Sequence, residues 1–267
     1  MRRAPWLWRG LLLVAILAAW QALAQPGLLP PIVWDNPDRA AFFFGEPVKI
    51  VRVAWTWFAD GSIYGHLWVT LEETVLAFVI GAGLGLGVGL WLGLAPSASA
   101  LLDPYIIAAN AMPRVVLAPI FMVWFGLGIW SKVALGVTLV FFIVFFNVYQ
   151  GVKEVSPVVL NNALMLGANR RQLLRHVYLP SATSWLFSSL HASVGMAFVG
   201  AVVGEYLGSA RGVGYLIQQA EGAFDINSVF AGMLVLTAFA LVLDAAVARA
   251  ERRLLRWRPA QSEVEPL

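Results

Sequence analysis

The chain has 267 residues, of which 60% are hydrophobic and only 12% are charged, whereas soluble domains have about 45–50% and about 25%. This composition excludes an ordinary soluble domain and is typical of an integral membrane protein. The absence of cysteine excludes disulfides, thiolate metal sites and cysteine nucleophiles. The net charge of +3 requires no nucleic-acid partner, because membrane topology accounts for the basic residues.

Six apolar runs come close to the length of about 20 residues that a spanning helix needs. The sequence therefore predicts an all-α membrane protein with about six transmembrane helices and both termini on one side. The runs lie near residues 7–25, 67–94, 104–127, 132–150, 182–204 and 228–248. We expect four parts: an N-terminal helix at 1–25, an outer segment at 26–66, a transmembrane domain at 67–248 and a basic tail at 249–267.

Basic residues are unequally distributed between the two sides of these spans. Twelve Lys and Arg residues lie in the N-terminal tail, the loop at 151–180 and the C-terminal tail, against five in the other loops. Because Lys and Arg accumulate on the cytoplasmic side, both termini and the loop at 151–180 are predicted to be cytoplasmic. The first run also has the basic start and short apolar core of a cleavable signal peptide. Cleavage is thus an alternative to retention, and it would leave the orientation of the other five spans unchanged.

The segment at 26–66 is predicted to be irregular, because Gly and Pro residues interrupt it repeatedly. Between the interruptions lie the aromatic clusters FFF and WTWF, with Lys49 and Arg52 near them. Aromatic and basic residues together suggest short helices that lie in the outer membrane interface. A merely anchored loop and a docking site for a partner are both compatible with this pattern.

The second run carries glycine at every fourth position, which leaves one helix face without side chains. Such a face allows a neighbouring backbone to approach closely. Static helix packing and a sliding contact within a moving transporter are the two interpretations. The glycines are Gly81, Gly85, Gly89 and Gly93.

The third run is expected to be kinked or broken, because each of its prolines removes a backbone donor. The prolines are Pro104, Pro113 and Pro119. Beside the middle one lies Arg114, an ionisable group inside the span, and such residues usually face protein or water. Arg114 is predicted either to bind an anionic substrate or to pair with an acid such as Glu205 or with freed carbonyls.

Two further polar residues join Arg114 as candidate pathway residues. His191 shares a helix face with Ser184 and Ser188 in the fifth run, which predicts either interhelical hydrogen bonding or the lining of a path. Glu205, at the end of that run, is interpreted either as a solute or gating contact or as a solvated interfacial acid. A single histidine gives no metal site.

Between the fourth and fifth runs lies the polar insert NNALMLGANRRQLLRHVYLP, residues 161–180. Its apolar residues recur at three- and four-residue steps, which predicts two short amphipathic helices with one apolar stripe. The residues of this stripe are Leu160, Ala163, Leu164, Leu166, Leu173, Leu174 and Val177. Gly167 is placed to end the first helix, Asn169 and Gln172 resemble a capping box that starts the second, and Pro180 is expected to stop it. We expect the apolar stripe to face the protein's own membrane domain and the polar, basic face to be free for a partner.

The insert resembles the cytoplasmic signature of permeases of bacterial ATP-binding-cassette importers. That signature is Glu-Ala-Ala, three residues, Gly, nine residues, and then an aliphatic residue, any residue, Leu and Pro. The matching positions here are Ala163, Gly167, Val177, Leu179 and Pro180. The segments LDPYIIAANAMPRVVLAPIFMVWFGLGIWSK, GAVVGEYLGSARGVGYLI and ERRLLRW are similar to the nitrate, sulfonate, taurine and pyrimidine-precursor branch, so the resemblance covers about residues 66–257.

The resemblance implies a MetI-like permease core in the bacterial inner membrane, paired as a homodimer and surrounded by lipid. It also implies two copies of a separate ATPase, a periplasmic or lipid-anchored solute-binding protein, and import of a small solute by alternating access. The coupling helix, at residues 161–171 of this chain, would bind in a groove on the ATPase. The implied coupling residues are Asn161, Asn162, Ala163, Gly167, Ala168, Arg170, Arg171 and Pro180.

Two departures from the family pattern affect these expectations. Asn161 and Asn162 stand where the family usually has Glu and Ala, so an ion pair from that Glu to the ATPase is lost. Hydrogen bonds from the two Asn side chains, or contacts from Arg170 and Arg171, would have to replace it. His191 stands where relatives often have Arg, and the resemblance does not cover residues 26–66. For these two reasons the resemblance does not identify the solute.

The sequence contains no G-x-x-x-x-G-K-[ST] phosphate loop, so ATP hydrolysis is assigned to another chain and no cofactor is expected. A self-sufficient secondary transporter or channel is the alternative function. It predicts coupling-ion groups within the spans, for which Arg114 and His191, and also Asp103, Glu205 and Asp244, are the candidates. A membrane enzyme is disfavoured by the lack of clustered acids, metal-ligand spacing and a nucleophile-base pair.

Overall fold

The computed structural model describes residues 5–25 and 39–254, and its regular structure there is helical throughout. The helices are α1 (Pro5–Ala24), α2 (Arg39–Phe44), α3 (Pro47–Ala59), α4 (Ser62–Leu94), α5 (Pro96–Ala111), α6 (Ala118–Phe125), α7 (Ile129–Lys153), α8 (Pro157–Met165), α9 (Arg170–Leu173), α10 (Leu179–Ser188), α11 (Leu190–Leu207), α12 (Val213–Gly222) and α13 (Ile226–Leu254). A 3₁₀ turn covers Arg114–Leu117, and a π turn covers Leu174–Tyr178.

Within these residues, four helices are long and apolar enough to cross a membrane: α4, α7, α11 and α13. Helices α5 and α6 together pass the same test as a bent pair, and α1 contributes a shorter apolar stretch, Trp8–Ala24. All six predicted apolar runs are thus helical. The prediction of an all-α membrane protein with about six spans is confirmed.

The third predicted span is broken, as its prolines indicated. Its two halves, α5 and the segment Arg114–Phe125, meet at an angle of 86°. Met112 is extended, with ψ of 132°, because the residue before a proline avoids the helical region. Pro104 lies inside α5 without ending it, so the break belongs to Pro113.

The described residues form two compact units. Unit 1 comprises residues within Met1–Val69 and Glu205–Ala238, and unit 2 comprises those within Thr70–Gly204 and Phe239–Leu267. The unit 1 core is formed by Ile50, Ala54, Ile63, Val213, Ala231 and Val235. The unit 2 core is formed by Ala77, Ala82, Val140, Val144, Val148, Val152, Ala182 and Ala197.

In unit 2 the glycine face of α4 packs directly against α7. A Cβ built on Gly85 would lie 2.8 Å from both the carbonyl oxygen of Phe141 and Cβ of Val144. Gly81, Gly89 and Gly93 are equally close to valines of α7. The predicted close backbone approach is therefore present, and it places the two long spans in contact over about three helical turns.

In unit 1, helices α2, α3 and the start of α4 occupy most of residues 39–66. The prediction of an irregular segment is therefore wrong there, whereas the short helices suggested by its aromatic and basic residues are present. The predicted breakers separate the helices rather than preventing them: Gly45 has φ of +65° between α2 and α3, and Pro47 is the first residue of α3. The rest of that prediction, for 26–38, lies outside the described residues.

Helix α1 is packed into unit 1 through two polar contacts. Trp20 Nε1 donates a hydrogen bond to the carbonyl of Phe44 (3.2 Å), and Gln21 Oε1 accepts one from the backbone N–H of Val48 (3.0 Å). The second bond gives a partner to the N–H of Val48, which lies in the first turn of α3 and has no acceptor within the helix. Removal of the N-terminal segment by a peptidase would break both contacts.

Candidate functional site

The first half of the insert is a short helix, α8, that ends in a Schellman motif at Gly167. The N–H of Gly167 donates to the carbonyl of Leu164 (2.9 Å), and the N–H of Ala168 donates to the carbonyl of Ala163 (3.0 Å). Gly167 has φ of +80°, a conformation that glycine adopts without steric cost. The prediction that Gly167 ends the first helix is confirmed.

The second half begins with the predicted capping box. Asn169 Oδ1 accepts from the N–H of Gln172 (2.9 Å), and Gln172 Oε1 accepts from the N–H of Asn169 (2.8 Å). Both ends of the connection between α8 and α9 are therefore fixed by local hydrogen bonds. The turn at 166–169 has a defined geometry rather than an open loop.

Pro180 does not stop the second helix, contrary to the prediction. Helix α9, the π turn at Leu174–Tyr178 and α10 follow one another without interruption. Proline in an α-helix removes a donor and clashes with the carbonyl four residues earlier, and a wider π turn just before Pro180 accommodates both effects. As a result, the insert is continuous with the span that follows it.

The insert is anchored to the end of α7 through Gly151. Ser181 Oγ donates a hydrogen bond to the carbonyl of Gly151 (2.7 Å). A Cβ at Gly151 would lie 2.5 Å from Cδ1 of Trp185, so the start of α10 packs tightly on α7. The insert is therefore attached both to α10, with which it is continuous, and to the end of α7.

The exposed surface of the insert differs from the prediction of a purely polar face. Leu164, Met165 and Leu166 are 49%, 86% and 89% exposed, although Leu164 and Leu166 were assigned to a stripe facing the membrane domain. The prediction is wrong for these two residues because the Schellman turn projects the end of α8 away from the rest of unit 2. We call these three residues the apolar tip.

Polar residues border the apolar tip. The predicted coupling residues Asn161, Asn162, Arg170 and Arg171 are exposed, and no described carboxylate forms an ion pair with either arginine. Pro180 is exposed as well, whereas Ala163 and Ala168 are half-buried at the base of the turn. The insert thus presents an apolar centre with an amide and guanidinium rim.

Arg114 lies at the break of the third span, in unit 2. Its Nη2 donates to the carbonyl of Asn110 (3.0 Å) and to the side-chain oxygen of the same residue. The guanidinium lies over the ring of Phe142, 4.5 Å from its centroid. The carbonyl of Asn110 has lost its helical donor where α5 ends, so the predicted pairing with a freed carbonyl is present.

The pairing of Arg114 is incomplete. Its Nε is buried and has no hydrogen-bond partner, and no carboxylate of the described chain lies within ion-pair distance of it. A buried donor without a partner is destabilising. Arg114 therefore has one donor without a partner, on an atom that is closed to solvent in this conformation.

His191, also in unit 2, lies between two acids of α13. Its Nδ1 is 3.1 Å from Glu251 Oε2, and its Nε2 is 3.7 Å from Asp244 Oδ1. His191 and Asp244 line a small cavity of about 50 Å³ together with Phe198. Two carboxylates make this surrounding unfavourable for an anion, and His191 shares no contact with Arg114.

Glu205 belongs to unit 1 and is 1% exposed, so the interpretation of a solvated interfacial acid is wrong. Its Oε2 accepts a hydrogen bond from the N–H of Gly214 (2.7 Å), in the first turn of α12. A Cβ on Gly212, which has φ of +105°, would overlap the carboxylate. The two glycines therefore allow Glu205 to hold the start of α12.

Sequence reasoning missed three features of these sites. The apolar tip had a visible signal, Leu-Met-Leu directly before the turn glycine. The partners of His191 are spaced seven residues apart on α13, which indicates one helix face but not which helix it meets. The contact of His66 Nδ1 with the backbone of Gly212, 3.0 Å from its oxygen, joins residues 146 positions apart and had no local signal.

Comparison with known proteins gives one family match and several relatives. Residues 81–256 match the family described as "Binding-protein-dependent transport system inner membrane component". The chain is 32% identical to "Putative aliphatic sulfonates transport permease protein SsuC" of Bacillus subtilis (strain 168), over 96% of this chain and 90% of that one. It is 30% identical to the formylaminopyrimidine transport permease protein ThiX of Halalkalibacterium halodurans, over 88% and 94%.

A solved structure gives an independent view of the fold. The chain resembles a chain of the MetNI methionine ABC transporter, described as an inward facing conformation, with a TM-score of 0.61 and 18% identity. The similarity covers 72% of this chain and 94% of that chain. At this identity the match speaks for a common fold and agrees with the predicted MetI-like core.

Proposed function

Because this chain belongs to the family of binding-protein-dependent transport system inner membrane components, and so is a transport permease, we propose that it imports a small solute by alternating access. A separate ATP-binding-cassette ATPase supplies the energy. ATP binding closes the ATPase pair, the insert moves with it, and the membrane path opens to the other side. The absence of a phosphate loop in this chain supports the division of labour.

The geometry of the insert is the observation that carries this proposal. An apolar tip that is 86% and 89% exposed at Met165 and Leu166 is unfavourable in water and suits a groove on a partner. The rim of Asn161, Asn162 and Arg171 supplies hydrogen bonds and positive charge in place of the family's usual Glu. The Schellman motif and capping box hold this surface rigid, and the contacts at Gly151 transmit its displacement to the spans.

We further propose that the permease acts as a homodimer with two ATPase copies and one solute-binding protein on the outer face. Both termini and the insert face the cytoplasm, in keeping with the distribution of basic residues. Under this arrangement the transmembrane domain extends over 67–248, with the coupling loop at 151–180, and the tail at 249–267 is cytoplasmic.

The solute is proposed to be a small anion or a small heterocycle. The relatives are named for aliphatic sulfonates and for formylaminopyrimidine. The positive charge of Arg114, at the break of the third span, suits the anionic class. The carboxylates around His191 argue that this residue does not contact an anion directly.

The test is affinity purification of the chain from native membranes in mild detergent, with identification of co-purifying proteins. An ATP-binding-cassette ATPase is expected with the wild-type chain and is expected to be lost when 161–171 is replaced by a Gly-Ser linker. The sharper variant is Met165→Ser with Leu166→Ser, which leaves both capping motifs intact. Its matched control, Met165→Leu with Leu166→Met, keeps the apolar tip and should retain the ATPase.

An ATPase that stays bound to the serine variant would show that the apolar tip is not the surface that binds the ATPase. If no ATPase co-purifies with the wild-type chain under conditions that preserve a known importer, the ATP-driven proposal fails. Uptake that then follows the proton gradient would favour the secondary transporter.

A further inference from the structure

Phe224 is the one residue other than glycine with positive φ among the described residues, at +56°. It lies between α12 and α13 in unit 1. Its N–H donates to the carbonyl of Glu221 (2.9 Å), and the next N–H, of Asp225, donates to the carbonyl of Ala220 (2.9 Å). This is the same helix-ending motif that Gly167 completes in the insert, and bulky residues adopt its left-handed conformation only with strain.

The strain at Phe224 brings no packing inside the protein. Its side chain is 73% exposed, it belongs to neither hydrophobic core, and it stacks on no described aromatic ring. Glycine or asparagine would complete the same turn at lower conformational cost. Strained, exposed residues of this kind occur where an interaction with a ligand or partner compensates for the strain.

The two helices that flank Phe224 hold its backbone in a fixed position. The start of α12 is bound by Glu205 through the N–H of Gly214, and its last turn is bound by Tyr206, whose hydroxyl donates to the carboxylate of Glu221. On the other side, Asp225 accepts hydrogen bonds from the N–H and the hydroxyl of Ser228 (3.1 and 2.5 Å). The backbone turn that carries the ring is therefore preorganised, which lowers the entropy lost on binding.

The charges around Phe224 indicate whether its ring faces a lipid surface or a protein partner. Glu221 precedes it by three residues and Asp225 follows it directly, and both are exposed. Acids beside an aromatic ring are unfavourable against an anionic lipid surface, whereas exposed aromatic residues with a charged rim are typical of protein interfaces. The segment thus suits a protein partner that offers an apolar pocket with a basic border.

We propose that Phe224 is the anchor by which the solute-binding protein docks on this permease. Its ring enters an apolar pocket on that protein, and Glu221 and Asp225 pair with basic residues at the border of the pocket. The inference rests on the proposed function, since it requires a solute-binding protein and an outward orientation of the loop between α12 and α13.

The experiment measures binding of the purified solute-binding protein of the same transport system to the full permease–ATPase complex in lipid nanodiscs. Phe224→Gly is expected to weaken binding about tenfold or more, while it raises the melting temperature of the complex by about 2 °C because it relieves the strained turn. Phe224→Asn should act on binding in the same direction. Phe224→Trp keeps an aromatic ring and should bind within about threefold of wild type.

A second experiment identifies the molecule that lies next to position 224. Because the chain has no cysteine, a benzophenone attached to Phe224→Cys is a unique photo-crosslinker and is expected to capture the solute-binding protein. Wild-type affinity in Phe224→Gly, or crosslinking to lipid or to a second permease copy instead, would overturn the inference while the permease function stands. Loss of ATPase co-purification from the wild-type chain would instead be the failure of the proposed function.

Discussion

At the scale of single residues, Gly167 and Phe224 show one backbone conformation serving two purposes. Both complete a helix-ending motif with positive φ, +80° and +56°. Gly167 adopts it freely and allows the insert to turn, whereas Phe224 adopts it under strain and exposes a ring. The identity of the residue at this position therefore separates a turn that only connects from one proposed to bind.

Gly167→Leu is expected to leave the protein in the membrane and to uncouple transport. A Cβ at Gly167 meets nothing within 4 Å, so the penalty is backbone strain of about 1–2 kcal/mol rather than a clash. The matched control is Gly167→Asn, which tolerates positive φ. Uptake and ATPase co-purification should fall in the leucine variant alone, and unchanged uptake in that variant would contradict the coupling role.

Arg114→Ala is expected to lower uptake more than it lowers the amount of protein in the membrane. Removal of the guanidinium frees the carbonyl of Asn110, at a cost of about 1–3 kcal/mol, and also removes the positive charge. Arg114→Gln separates the two effects, because its amide can still donate to that carbonyl. Uptake assays alongside quantitative immunoblots give the comparison, and equal falls in both measures would make Arg114 purely structural.

At the scale of helices, the contact between α4 and α7 depends on which glycines face it. Gly81, Gly85, Gly89 and Gly93 leave no room for a Cβ, whereas Gly83 and Gly87 have nothing within 4 Å. The two sets alternate along one helix, so close packing uses only one face. Gly83 and Gly87 make no such contact, and alanine at these two positions would stabilise the helix more than glycine does.

Gly85→Ala and Gly83→Ala are expected to change stability in opposite directions. At Gly85 the new methyl meets backbone atoms of α7, which should lower stability by about 1–3 kcal/mol. At Gly83 it meets nothing, and the higher helix propensity of alanine should raise stability by up to about 1 kcal/mol. Thermal unfolding in detergent measures both, and a similar shift for the two variants would argue against the packing account.

At the scale of the whole molecule, the proposed arrangement requires that the insert and the loop after α12 face opposite sides of the membrane. Both regions carry exposed polar residues, Asn161 in the insert and Gln218 in α12. Twelve Lys and Arg residues, which predict the orientation, lie in the tails and the loop at 151–180, whereas Arg211 is the single basic residue next to α12.

Single cysteines at Asn161 and Gln218 test this orientation, because the chain has none of its own. In intact cells with a permeable outer membrane, an impermeant maleimide should label Gln218→Cys at once and Asn161→Cys only after lysis. The reverse order would invert the proposed topology and with it the assignment of the coupling segment. Equal labelling of a detergent-solubilised sample is the control for reactivity.

The prediction of elements succeeded where the relevant interactions are local. The turn at Gly167 and the capping box of Asn169 with Gln172 depend on residues within five positions, and both are present as predicted. Pro180 shows the limit of local rules: proline ordinarily ends a helix, but the π turn before it and the contacts of Ser181 and Trp185 with Gly151 keep this helix continuous.

Composition and periodicity by themselves determined the membrane class, the helical runs and the two capped helices of the insert, because these follow from solvent transfer and from neighbours along the chain. Only the tertiary structure decided the burial of Glu205, the carboxylates beside His191 and the exposure of Met165. Each of those depends on which elements meet, or fail to meet, in space. Asp244 and Glu251 lie 53 and 60 residues after His191 in the chain, and no local pattern of a single sequence encodes such a meeting.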